Sequence, residues 1–174
     1  MRAWVVAAGV AAAITATGVA RSQIAGVSHP IVLLDSTGKV AARPLNETLM
    51  LVTVSNGIAA PASIRPIYGP DGRPASARAT WQSGGSVLFT SSDCTAGAHV
   101  YGSQHAGVRA TAQVQTPGGI VLYVGAEGAA NTVAIHSILY ETGCAPLAVE
   151  QNGLFPVLET VNLNAAYPPP LSFQ

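Results

Sequence analysis

Two cysteines, four histidines and eight acidic residues carry most of the chemistry open to this 174-residue chain. Cys94 and Cys144 lie too far apart for a C-x-x-C redox pair. In an oxidising compartment two cysteines most simply make one disulfide, which would tie the middle of the chain to its late part. Two separate buried thiols are the competing reading. His99 and His105 stand close to Asp93 in sequence. A metal needs several such ligands at a workable spacing, and these match no standard zinc pattern, so neither a metal nor any other cofactor is expected. The same three residues are the candidates for a secreted hydrolase, in which a carboxylate orients a histidine that activates a nucleophile. Serines are plentiful, but no G-x-S-x-G elbow accompanies them. Trp81 and Tyr101 are the candidate ligand-binding residues, because aromatic rings stack on carbohydrate. In a chain with only 6% aromatic residues the same rings are also wanted in a core. Phosphate-loop, dinucleotide-binding and EF-hand signatures are missing from the sequence.

Charge narrows the partners. Eight basic residues balance eight acidic ones, and charged residues make up 9% of the chain, against about 25% in a typical soluble domain. Nucleic acid needs clustered Lys and Arg to neutralise phosphates, and this chain has a single lysine, Lys39. A polybasic membrane patch is missing for the same reason. Met1-Arg2 supplies one positive charge, and an uncharged apolar run follows to Ala20. This reads as a signal peptide over residues 1–20, with Gly18 and Ala20 at the −3 and −1 positions of a cleavage before Arg21. An uncleaved anchor is the alternative. The expected product is an exported chain, periplasmic or extracellular, with no stable membrane insertion after cleavage.

The elements that must position these residues read as strands. Residues 21–29 form a short leader, and 30–174 a single β domain. Ile31–Leu34 and Lys39–Ala41 flank Asp35-Ser36-Thr37-Gly38, which has Asp and Gly where a tight turn prefers them. In the next strand Leu49, Leu51 and Val54 are expected to face the core. Four prolines between Pro61 and Pro74 make Ile64–Tyr68 an expected edge strand. Val87–Thr90 is a buried strand leading into Cys94, and Ala98–Tyr101 is another. From 110 to 115 Ala110, Ala112 and Val114 alternate with Thr111, Gln113 and Gln115. Ile120–Val124 and Thr132–Tyr140 complete the set, the latter placing His136 as a partly buried residue. The tail, with Pro168–Pro170, reads as a polyproline II segment lying over the domain. Turn signals recur every 8–12 residues or so, the rhythm of an all-β, antiparallel β-sandwich or barrel-like domain.

Four pieces occur in a set order: a D-x-x-G-K hairpin at Asp35–Lys39, an F-x-S-x-D-C strand at Phe89–Cys94, a second cysteine after Gly143, and a closing P-P-x-S at Pro169–Ser172. In this order the chain resembles a family of uncharacterised exported bacterial proteins over most of residues 31–173. The resemblance implies export, β architecture and a Cys94–Cys144 pair, and it carries over no catalytic residue. The expected role is therefore that of a non-catalytic structural or adhesive module contacting cell-envelope or surface molecules. A carbohydrate- or small-ligand-binding domain is the first alternative. A secreted hydrolase using Asp93, His99 or His105 is the second.

Overall fold

The computed structural model describes residues 30–102 and 108–174. The expected signal peptide, the leader and His105 lie outside the described residues. The rest is almost entirely antiparallel β structure, as the turn rhythm implies. The strands in chain order are β1 (Leu33–Leu34), β2 (Val40–Pro44), β3 (Leu49–Thr53), β4 (Ala59–Tyr68), β5 (Pro74–Trp81), β6 (Val87–Phe89) and β7 (Ala98–Tyr101). They continue with β8 (Thr111–Thr116), β9 (Gly119–Gly125), β10 (Asn131–Tyr140), β11 (Gly143–Asn162) and β12 (Leu171–Phe173). A 3-10 turn at Ser55–Gly57 and a short helix α1 (Leu163–Ala166) are the helical pieces among the described residues. No described helix is long and apolar enough to cross a membrane.

Strands β1-β12-β5-β4-β3-β2 form a closed barrel. The remaining strands form a second sheet in the order β10-β6-β7-β11-β9-β8, inserted in sequence between β5 and β12. Strand β10 also pairs with β11, so β10, β6, β7 and β11 close on themselves around Leu88, Ile135, Ile138 and Leu154. Three cores result. The barrel core holds Leu33, Met50, Val52, Trp81 and Leu171, and it extends to Ile120, Leu122 and Val124 on β9. The other face of the β8–β9 ribbon, with Ala112, Val114 and Tyr123, packs on Val87, Phe89 and Val100. Both faces of this ribbon are therefore covered, one by the barrel and one by the second sheet.

The first hairpin forms where expected. The Asp35 carboxylate accepts bonds from the Thr37 amide at 2.8 Å, the Thr37 hydroxyl at 2.7 Å and the Lys39 amide at 3.0 Å. Gly38 takes φ +84°, a left-handed conformation that glycine adopts without a side-chain clash. Desolvation pushes the Asp35 pKa up, but these hydrogen bonds outweigh it and hold the carboxyl below its ordinary value.

Four expectations are corrected. Met50 and Val52 face the core, whereas Leu49 and Leu51 are only half-buried. The run LMLV is apolar at every position, so alternation could not choose the face. Ile64–Tyr68 is not a separate edge strand but the second half of β4, which as a whole lies between β3 and β5, although this half pairs with β5 alone. Its prolines survive because the strand changes neighbour midway. Pro61 lies opposite Leu51 of β3 and Pro66 opposite Ala79 of β5, so each has a strand neighbour on one side only. His136 is exposed on β10, between buried Ile135 and Ser137. The tail is not a polyproline cover. Residues up to Asn162 continue β11, Asn162 caps α1 through the Ala165 amide at 3.1 Å, and Leu171–Phe173 becomes a barrel strand. The bond between Pro169 and Pro170 is cis.

Candidate functional site

The two cysteines are joined, with their Cα atoms 5.9 Å apart. Cys94 lies in the tight Ser91–Gly97 loop between β6 and β7, and Cys144 lies just after the β10–β11 turn. The bridge therefore fastens that loop to the hairpin tip. Buried Ser137 reinforces it from below: its hydroxyl donates to the Ser91 carbonyl at 2.6 Å and accepts from the Cys94 amide at 3.0 Å. Gly97 is needed here, since a Cβ at this position would sit 1.8 Å from Thr90 Oγ1.

The other candidates serve the same loop. Asp93 accepts from the Thr95 hydroxyl at 2.6 Å and the Thr95 amide at 3.2 Å. Bonds from the Thr95 and Ser91 side chains hold its carboxyl below the ordinary value. His99 donates from Nδ1 to the Gly97 carbonyl at 2.8 Å. Both groups are thus engaged within the turn that carries the bridge. Among the described residues no group of three or more His, Cys, Asp and Glu side chains is placed to hold a metal ion.

Trp81 and Tyr101 are not brought together. Trp81 is 2% exposed inside the barrel core, where Nε1 donates to the Tyr167 carbonyl at 3.0 Å and its ring leans against the Tyr167 ring, centroids 6.4 Å apart. It offers no open face for a sugar to stack on. Tyr101 is exposed on β7, opposite Leu154.

Two further residues, neither of them marked by a motif, organise the junction between barrel and sheet. Gln113 on β8 is 4% exposed, and its amide group reaches β4, accepting from the Ser63 amide and donating to the Ser63 carbonyl at 3.2 Å. Ile64 donates to the Thr48 carbonyl, so the antiparallel alternation turns the Ser63 amide away from β3. Strand β5 begins pairing only at Ile64. Gln113 fills this gap, and the Thr111 hydroxyl adds a bond to the Pro61 carbonyl at 2.9 Å.

Arg109, just before β8, borders a cavity of about 550 Å³ at the same junction. Ile58 and Ala59 form its barrel side, and Ala110 and Phe155 its sheet side, with Glu127 at the rim. Arg109 Nη2 pairs with Glu127 Oε2 at 3.0 Å. Nη1 is buried and, among the described residues, meets no hydrogen-bond partner. The only sequence signal for this site was an arginine at the head of an otherwise uncharged strand. No family model, no curated protein and no solved structure matches the chain, so the resemblance to exported bacterial proteins rests on its motifs alone.

Proposed function

We propose that the chain is exported and acts in the periplasm or outside the cell as a non-catalytic structural or adhesive module of the bacterial envelope or surface. The observation that carries this reading is the Cys94–Cys144 bridge, which is consistent with an oxidising compartment. The bridge joins a polar loop to a hairpin tip, with Cys144 itself exposed. A covalent tie in such a place keeps an outward-facing contact region in one shape. Asp93 and His99, the described members of the candidate hydrolase set, are engaged in shaping that loop, which favours the mechanical reading over the catalytic one. Envelope or surface molecules are the proposed partners.

The test is the intact mass of the protein recovered, without reductant, from an exporting host, together with the fraction in which it is found. A mass starting at Arg21 and two hydrogens short, in an envelope or external fraction, supports the proposal. A full-length cytoplasmic species with both thiols free overturns it.

A further inference from the structure

The guanidinium of Arg109 is under-used. It is a fixed positive charge with five N–H donors in a planar fork, suited to grip a carboxylate at two points. Its side chain is 21% exposed, so most of the cost of drawing it out of water is already met. In return it has one acceptor among the described residues, on Glu127, whose side chain is 86% exposed. An ion pair with so exposed a partner contributes little. Nη1 is buried and meets no hydrogen-bond partner among the described residues. A buried donor left unpaired is costly, and native structures hold few of them.

A cavity lies beside the same side chain. Its volume of about 550 Å³ falls within the range of small-molecule sites. Ile58, Ala59, Val108, Ala110 and Phe155 give it apolar walls, and the Arg109–Glu127 pair stands at one side. The walls come from both the barrel and the sheet, which Gln113 holds together. A free phosphate would find the charge but leave the apolar walls uncovered. A neutral apolar molecule would cover the walls but leave the charge unanswered.

We propose that this cavity binds a small amphipathic carboxylate, its apolar body against Ile58 and Phe155 and its carboxylate on Arg109. In the empty state Glu127 occupies part of the guanidinium. The ligand carboxylate displaces Glu127, and a small turn of the side chain gives Nη1 its missing acceptor. Glu127 is then a competitor rather than a support, and its removal strengthens binding. The proposal is independent of the mechanical role proposed above.

The probe is octanoate, titrated into the uniformly ¹⁵N-labelled, oxidised protein, with octanol and inorganic phosphate as comparisons. The expected result is saturable shifts at the amides of Gly102, Ala110 and Gly128, with octanol weaker by about tenfold and phosphate inert at the same concentration. Glu127→Gln should tighten octanoate binding about two- to fivefold, the scale of an exposed ion pair. Arg109→Gln should weaken it at least tenfold and leave octanol binding unchanged, which also shows that the cavity is still formed. No saturable binding to the wild-type protein overturns the proposal. So does octanoate binding that Arg109→Gln leaves intact, or that Glu127→Gln weakens.

Discussion

Replacing Gln113 by Met keeps length and approximate volume but removes both side-chain hydrogen bonds to Ser63. The two losses are unequal. The Ser63 carbonyl still accepts from the Gln82 amide at 3.0 Å. The Ser63 amide faces away from β3, lies beyond the reach of β5 pairing and loses its acceptor. An orphaned amide costs about 1–3 kcal/mol, and the second, partly compensated bond adds about 0.5 kcal/mol, so the expected destabilisation is about 2 kcal/mol. With a urea m-value of about 2 kcal/mol per M, the unfolding midpoint should fall by about 1 M. Urea denaturation followed by circular dichroism reads this shift. Hydrogen exchange locates it, because the Ser63 amide should lose protection while the Leu51 and Val52 amides of the neighbouring strand keep theirs. A midpoint change below about 0.3 M, or unchanged protection at Ser63, would refute the claim that Gln113 substitutes for a missing strand neighbour.

Three further outcomes follow from the same geometry. Replacing both Cys94 and Cys144 by Ser should lower stability by about 4 kcal/mol on the chain-entropy model, and adding reductant to the native protein should reproduce most of that loss in urea denaturation. Asp35→Ala should destabilise the first hairpin at neutral pH. The folded-state pKa of Asp35 is depressed, so its contribution is complete above the unfolded value and is lost as pH falls through the folded one. The difference between native and variant midpoints should therefore narrow below about pH 4, and a constant difference down to pH 2 would contradict the assignment. Gly97→Ala forces a Cβ against Thr90 Oγ1 at a φ of +65°, and should cost more than about 2 kcal/mol. Thr90→Ala should restore part of that loss in a double-mutant cycle, since the hydroxyl is the nearest obstruction.

The fold class was legible because turn residues are local signals. Asp35 and Gly38 mark their hairpin without reference to the rest of the chain, and the strands at Val87, Ala98 and Ile120 stand out by composition. What sequence hid was what depended on neighbours. Pro61 and Pro66 argued for an edge, and only the change of partner along β4 shows how an internal strand accommodates them. Leu49–Val52 offered two equivalent apolar faces. In the tail, Pro168–Pro170 argued for a polyproline segment, yet β11 runs on to Asn162 through Pro156, which lies opposite His99 of β7 and accepts from the Ala126 amide through its carbonyl. Gln113 looked like any polar residue of an alternating strand, because its partner Ser63 lies on a distant strand. Arg109 was equally silent. An arginine announces charge, but the cavity beside it and the exposed acid it meets are assembled from residues distant in sequence.

The position of β12 sets a timetable. Residues 171–173 pair on one side with β1 and on the other with β5, and the Val32 and Gln174 amides exchange bonds with each other's carbonyls at 2.9 and 3.0 Å. The barrel has no other strand for that gap. A chain made from its amino end therefore carries β1 to β5 for the whole time needed to make about 90 further residues, with two edges unpaired and Leu33 and Trp81 lacking the cover of Leu171. The inserted sheet has all its strands by Asn162 and can pair within itself first. Such delayed closure through distant contacts is slow. For the exported chain proposed above, that slowness would be useful, because the barrel stays open until its last strand has been made.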